Sequence, residues 1–394
     1  MKPPIVPLQI GSTIHVYNKL GKFEWTNGQS NFPRKTILAF CKGMSSEGVM
    51  QKQTVTFGEI MLRLKPPEFQ RIVQAREFEA IYGGGEANVA ASLAILGLPT
   101  SFVTRLPINE IGDACLAFLH QYGIDTKSVT RGGDRLGIYF LEAGVTQRAS
   151  KVIYDRIGSS FATLQPGMVD WEKALASSDW FHWSGITPAV SESAAKSCEE
   201  AVQTAKKMGL TISCDLNYRA KLWNWTKTPG KIMENLVKYC DVVIGNEEDA
   251  EKVFGIQAPG IDISSGKLGA KQYLAVCETL AKKMLNLKKI AITLRGSISA
   301  SHNTWSGVLW SEGKFLEAPT YDILPIVDRV GAGDAFSAGL IYGLKVYSGD
   351  NQKALNFAAA ASCLKHSIPG DFNLATATEV EALMAGDKSG RVVR

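Results

Sequence analysis

Residues 327–340 read VDRVGAGDAFSAGL. Gly331 and Gly333 flank Ala332, Asp334 follows, and the small and apolar residues after it predict a helix. A helix N-terminus carries unpaired backbone N–H groups and a partial positive charge. Glycines let a ligand approach the backbone with no Cβ in the way. Together these features make an anion site suited to phosphate. A carboxylate beside a phosphate is repelled by it, which makes sense where the carboxylate takes a proton from a hydroxyl attacking a phosphoryl group. The same residues also satisfy a simpler requirement, because Asp is a good N-cap.

Working outward, short apolar stretches alternate with amphipathic ones. Strands are expected at 54–61, 100–106, 180–185, 211–217, 241–246 and 289–294, and helices at 86–97, 112–123, 191–209 and 248–255. This alternation indicates parallel βαβ units with helices on both faces of one sheet. Ligands in such sheets bind beyond the carboxyl ends of the strands. Several strands here end in polar residues: Asp215 and Asn217, Asn246, and Thr293 with Arg295. Residues 63–85 and 135–156 break the rhythm, the second reading as two strands about a turn. They predict a small β appendage, built from about 62–82 and 134–157, over the ligand edge of the sheet. Two other nucleotide motifs fail. GIDISSGKL (260–268) has the wrong glycine spacing for a Walker A loop and Leu268 where Ser or Thr is needed; Phe336 replaces the third glycine of a dinucleotide fingerprint.

The 394 residues suffice for one large domain with an appendage. Residues 1–49 carry six basic and two acidic side chains, whereas the rest is nearly balanced at 37 basic and 36 acidic. No concentrated basic face for nucleic acid is expected. No run of about 18 apolar residues predicts a membrane span. The seven cysteines stand singly, which fits a reducing cytoplasm better than a disulfide framework or a zinc site. Residues 1–49 show no sustained period, and strand-like alternation begins after Met50. They are expected to be a poorly ordered extension or a mis-assigned leader, with 50–394 as the folded domain.

A second glycine cluster, YGGGEANVAASLAILG (82–97), is followed in order by NEIGD (109–113), DLNYR (215–219), GNEEDAEKVFG (245–255), ITLRGS (292–297) and DRVGAGDAF (328–336). Over residues 54–375 this series resembles the ribokinase-like (PfkB) family of carbohydrate kinases. Within it the chain is most similar to the 2-keto-3-deoxygluconate kinases, on Glu86 in the first cluster, Asp328-Arg329-Val330 before the second, and Tyr139, Tyr154, Arg156 and Arg219 between them. The resemblance implies a three-layer α/β/α sandwich with a mainly parallel central sheet and a small β lid. It implies an ATP-dependent kinase acting with Mg²⁺ on the terminal hydroxyl of a sugar acid.

Carried over residue by residue, the resemblance makes Asp334 the general base and Gly331, Ala332 and Gly333 the backbone hole for the transferring phosphoryl group. Gly84 and Gly85 admit the sugar, and Asn88 binds one of its hydroxyls. Tyr139, Tyr154, Arg156 and Arg219 hold the carboxylate, as an anion requires of cationic and hydroxyl donors, and Asp371 closes on the sugar. Asn217, Arg219, Asn246, Thr293, Arg295, Gly296 and Asn356 serve the nucleotide, with Arg219 shared between the two ligands. Glu248 or Asp249 acts indirectly on Mg²⁺. Exposed edges of the lid suit pairing into a dimer or higher homo-oligomer. The rival readings are a fructokinase or ribokinase of the same family, and a non-catalytic sugar or nucleotide sensor on the same fold.

Overall fold

The structure, a computed structural model, describes residues 8–10, 13–15, 51–246, 248–256 and 270–387. Most of the N-terminal extension and the rejected GIDISSGKL loop lie outside the described residues. The chain divides into two compact units, Met1–Met50 and Gln51–Arg394. In the first, Leu8–Ile10 pairs antiparallel with Thr13–His15.

The second unit is built on a nine-stranded sheet. Its strands are β1 (Gln53–Phe57), β4 (Thr100–Val103), β7 (Ser178–Ser184), β8 (Thr211–Asp215), β9 (Val242–Asn246), β10 (Lys289–Ser299), β11 (His302–Ser311), β12 (Lys314–Glu317) and β13 (Tyr321–Ile323). The order is β12-β11-β10-β9-β8-β7-β1-β4, with β13 also on β11. From β10 to β4 the strands run parallel, and β11, β12 and β13 extend the sheet antiparallel.

The intervening numbers belong to a second sheet of four strands, ordered β6-β5-β2-β3. Here β2 is Met61–Lys65, β3 is Glu79–Gly83, β5 is Gly137–Glu142 and β6 is Lys151–Asp155. The strand expected at 54–61 is therefore two strands, broken at Gly58, Glu59 and Ile60. Only glycine fits at 58, where a Cβ would lie 2.1 Å from the Glu86 carboxylate. The chain leaves the main sheet at that point and enters the lid.

Helices cover both faces of the main sheet. On one face α3 (Glu192–Lys207) shows how sequence makes the element. Ser191 accepts from the N–H of Ala194 at the N-cap, Glu192 sits in the first turn, and Lys206 and Lys207 lie in the last turn, complementing the helix dipole. Ala194, Cys198, Ala201, Val202 and Ala205 are its buried stripe. They join Phe57, Phe181 and Trp183 of the sheet in one apolar cluster.

The opposite face carries α1 (Gly85–Ile95), α4 (Ala332–Val346) and α5 (Asn351–Lys365), all buried on most sides. This explains the small residues after Asp334. A Cβ on Gly339 would come within 2.8 Å of Ala358 Cα, and one on Gly343 within 2.5 Å of Ala354 Cα, so α4 and α5 pack backbone to backbone. The helix α2 (Glu110–Gln121) flanks α1 over a third cluster around Phe102, Cys115 and Leu119. Among the described residues no helix is long and apolar enough to cross a membrane.

Candidate active site

The strand ends, the N-termini of α1 and α4 and the inner surface of the lid enclose a cleft of about 380 Å³. Asp334, in the first turn of α4, lies beside the start of α1. Asn88 Nδ2 donates to Asp334 Oδ2 at 2.7 Å, while Asn88 Oδ1 accepts from the N–H of Gly84 at 3.2 Å. Burial raises the Asp334 carboxyl to about 7 against the opposing effect of the Asn88 bond, and the negative charges of Glu86 and Asp371 add to the rise. Its Oδ1 faces the space before Gly85, where a Cβ would sit 3.5 Å away at ordinary contact distance.

The glycines of the two clusters are not equivalent. Gly331 is the N-cap of α4 at φ +82°, and a Cβ there would strike the carbonyl of Asp371 at 2.0 Å. A Cβ on Gly84 would strike the carbonyl of Glu59 at 2.0 Å. The fold itself requires these two glycines. Gly333 is different, since a Cβ on it would meet nothing within 4 Å. Together with Gly85, it keeps side chains out of the space on either side of Asp334, where a ligand can approach. Ala332 also lines the cleft, and its N–H donates to Arg329 O at 3.3 Å.

Of the other residues singled out by sequence, Tyr139, Tyr154, Arg156, Asn217, Arg219, Asn246, Thr293, Arg295 and Asp371 all line the cleft. Their electrostatics differ from a simple anion clamp. Arg156 is buried, and its Nε and Nη2 both donate to Glu59 Oε2, with the Nε bond at 2.8 Å. Ser159 Oγ donates to Glu59 Oε1 at 2.5 Å. Tyr139 is buried too, and its hydroxyl donates to Asp371 Oδ2. Tyr154 lies on the exposed strand β6 with the Arg156 guanidinium 5.5 Å from its ring centre. Arg219 is exposed, with Nη1 on the carbonyl of Tyr218 at 3.1 Å. Asn217 takes φ +36°, a left-handed conformation that Asn tolerates better than most residues.

Three expected nucleotide or metal residues stand outside the cleft lining. Gly296 is paired within the β10–β11 ladder, opposite Thr304. Asn356 accepts from Gln352 on its own helix at 2.8 Å. Glu248 is half-exposed and paired with Lys252. Asp249 is at the cleft, but its two oxygens accept the backbone N–H groups of Tyr218 at 3.1 Å and Asn246 at 2.9 Å. It braces the loop that carries Asn217 and Arg219. Neither acid fits a direct role in holding Mg²⁺, and among the described residues no cluster of three or more acidic, His or Cys side chains does.

Sequence reasoning missed a buried ionic network behind the cleft. Arg63 of the lid strand β2 donates to Asp328 Oδ2 and Asp371 Oδ1, both at 2.6 Å. It also missed Glu59 as the partner of Arg156. Glu86, named above only as a mark of resemblance, is fully buried and accepts from Ser184 Oγ at 2.7 Å and Thr187 Oγ1 at 2.6 Å. The one available signal was charge itself: Arg63 occupies a position in β2 where the strand pattern faces inward.

A carboxylate raised toward neutrality, at a glycine-lined helix N-terminus and beneath the four-stranded sheet, is suited to deprotonating a hydroxyl beside a phosphate. Comparison with known proteins agrees. Residues 51–373 match the family described as pfkB family carbohydrate kinase. The 2-dehydro-3-deoxygalactonokinase of Haloferax volcanii is 31% identical over 344 residues, covering 86% of this chain and 99% of that protein. The 2-dehydro-3-deoxygluconokinase of Thermoproteus tenax is 26% identical over 322 residues, covering 80% of this chain and 89% of that protein. The crystal structure of 2-dehydro-3-deoxygluconokinase from Thermotoga maritima has a TM-score of 0.80 and 48% identity, covering 85% of this chain and 100% of that one. The chain thus belongs to the pfkB family of carbohydrate kinases.

Proposed function

We propose that the protein is an ATP-dependent kinase of the cytoplasm that phosphorylates the 6-hydroxyl of 2-keto-3-deoxygluconate, giving 2-keto-3-deoxy-6-phosphogluconate. The observation that carries this reading is Asp334: one oxygen is held by Asn88, and the other faces a gap that Gly85 keeps open. The similarity to the Thermotoga maritima 2-dehydro-3-deoxygluconokinase supports the choice of sugar acid.

In this reading the sugar lies between Gly85 and the lid residues Tyr139, Tyr154 and Arg156, with its terminal hydroxyl at Asp334 Oδ1. Asp334 accepts the hydroxyl proton as the oxygen bonds to the γ-phosphorus of ATP, and the bond from phosphorus to the ADP oxygen breaks. The first turn of α4 and the Gly333 backbone stabilise the charge on the transferring group. Arg295 and Thr293, at the end of β10, serve the nucleotide. Mg²⁺ would be held by the nucleotide's phosphate oxygens and water, and would neutralise charge on the phosphates. Because Glu59 already neutralises much of Arg156, the exposed Arg219 carries more of the attraction for the sugar carboxylate. The edge strand β6, with Val152 at 43% and Ile153 at 54% exposure, pairs two copies into a dimer.

The test is ADP release with ATP and Mg²⁺ on 2-keto-3-deoxygluconate, 2-keto-3-deoxygalactonate, fructose, ribose and gluconate. Turnover on the gluconate-derived keto acid is expected. Preference for the galactonate-derived epimer would keep the mechanism and change the substrate. Turnover only on a neutral sugar would remove the anion-binding role of Arg219 and Arg156. Light scattering on the purified protein tests the dimer.

A further inference from the structure

A clasp of hydrogen bonds joins the lid to the nucleotide end of the main sheet. The lid strands β5 and β6 are linked by a turn in which Val145 and Arg148 pair. The main-sheet strands β10 and β11 are linked by Ala300 and Ser301. These two turns meet. The N–H of Ala300 donates to Thr146 O at 2.7 Å, and the N–H of Thr146 donates to Ser301 Oγ at 3.0 Å. Thr146 sits at φ +51°, a costly conformation for a β-branched residue, so the contact holds the lid turn against local strain. Arg148 ties the turn into the rest of the lid: Nη2 donates to Phe69 O at 2.6 Å, and Nη1 pairs with Glu142 at 3.3 Å.

Arg329 holds the other half of the clasp. Its Nη2 donates to the carbonyl of Ala300 at 2.6 Å and approaches that of Ser299 at 3.4 Å. Its own carbonyl accepts the N–H of Ala332, in the first turn of α4. The half-buried Arg329 side chain also lines the cleft, as does the exposed Arg295. Burial and then the positive charge of Arg295 lower the Arg329 pKa, while Asp328 opposes them. Asp328 cannot serve as a close partner, because its carboxylate is taken by Arg63 and by the N–H groups of Val330 and Gly370. Two guanidinium groups therefore repel each other at the wall of the cleft. A multiply charged anion relieves that repulsion, and a guanidinium fork can hold a phosphate oxygen and a carbonyl at once.

We propose that Arg329 is a positioning residue that couples the phosphoryl donor to the lid: its remaining nitrogens take the donor's phosphate oxygens beside Arg295, while Nη2 holds the β10–β11 turn on which the lid is clasped. The donor then favours the clasped state, in which Tyr139 and Tyr154 line the cleft. By linkage, a sugar acid under the clasped lid raises the affinity for the donor by the same factor. The identity of the donor rests on the kinase reading above.

The experiment follows amide hydrogen exchange in peptides covering 143–150 and 297–302 of the full-length protein, with and without the β,γ-imido analogue of ATP and Mg²⁺. In wild type the analogue is expected to slow both peptides roughly 5-fold or more. Inorganic triphosphate with Mg²⁺ should do the same and adenosine should not, because the phosphates carry the effect. Arg329→Lys keeps the charge and loses the fork. It should still bind the analogue, but its lid peptide should exchange almost as in the unliganded protein. Ser301→Ala removes one bond of the clasp from outside the cleft lining. It should bind the analogue as wild type does and show a much smaller slowing of the lid peptide.

A wild-type lid peptide that ignores the bound analogue would overturn the proposal. So would a lid response left undiminished in both variants. Weaker analogue binding by Arg329→Lys with a full lid response would make Arg329 a phosphate ligand only, and the proposal would fall. If Arg329→Lys does not fold, the lid response of Ser301→Ala decides. Failure of wild type to bind the analogue would remove the kinase reading together with the proposal. A slowed lid in a protein that turns over no keto acid would remove only the sugar assignment and leave the coupling standing.

Discussion

Replacing Asp334 by Asn separates the functional cost of the base from its structural cost. The carboxyl is raised from 3.8 to about 7, chiefly by burial. At about 1.4 kcal/mol per pKa unit, the charged form is disfavoured by roughly 4 kcal/mol relative to the unfolded chain. The folded state holds this proton more tightly than the unfolded state between pH 3.8 and about 7. Stability from this group is therefore lost as pH rises through that window, and the full penalty persists above it. Asn carries no charge, and its oxygen can still accept from Asn88. Asp334→Asn should thus have a higher thermal midpoint than wild type at pH 8 and an equal one near pH 4. Turnover should fall by roughly 10²–10⁴-fold, with ATP binding largely kept. In wild type, kcat/KM should rise about tenfold between pH 6 and pH 8 as the base ionises. The assays are coupled ADP release across pH and thermal unfolding of both proteins. Wild-type turnover in the variant would refute the base, and equal midpoints at pH 8 would refute the burial argument.

Gly85→Ala should fold normally and raise the sugar KM, because its Cβ meets only ordinary contacts but fills the space before Asp334; Gly84→Ala should lower the thermal midpoint, because its Cβ strikes Glu59 O. Arg156→Met should raise the keto-acid KM more than the ATP KM. It should also destabilise the fold by about 3–5 kcal/mol by stranding buried Glu59, a loss that denaturant unfolding should show largely reversed in Arg156→Met with Glu59→Gln. Asp249→Asn should raise the ATP KM by displacing the loop of Asn217 and Arg219, because its new amide faces a backbone donor; unchanged kinetics would show that this loop is held by other contacts.

Much of this architecture was legible in the chain. The expected helices at 86–97, 112–123, 191–209 and 248–255 appear as Gly85–Ile95, Glu110–Gln121, Glu192–Lys207 and Asp249–Phe254. Their capping residues and apolar spacing act over a few residues, so a linear reading captures them. The antiparallel strands β11 to β13 were not foreseen, since their alternation is interrupted by turns and their partners are set by sheet order. The break at Gly58 escaped notice for a similar reason: the Glu86 carboxylate packed against that glycine comes from 28 residues away.

By itself the sequence determined the parallel sheet, the helix that begins at the 331–334 glycine loop, and the placement of Asp334 at that helix N-terminus. These follow from backbone periodicity and from the conformational freedom of glycine, which are local properties. Only the tertiary structure decided what each charge does. It paired Arg156 with Glu59 across 97 residues, tied Arg63 to Asp328 and Asp371 across 265 and 308, and turned Asp249 inward onto backbone donors. It also raised Asp334 toward neutrality. Coulombic and desolvation energies depend on distance and burial in space, and separation along the chain carries neither.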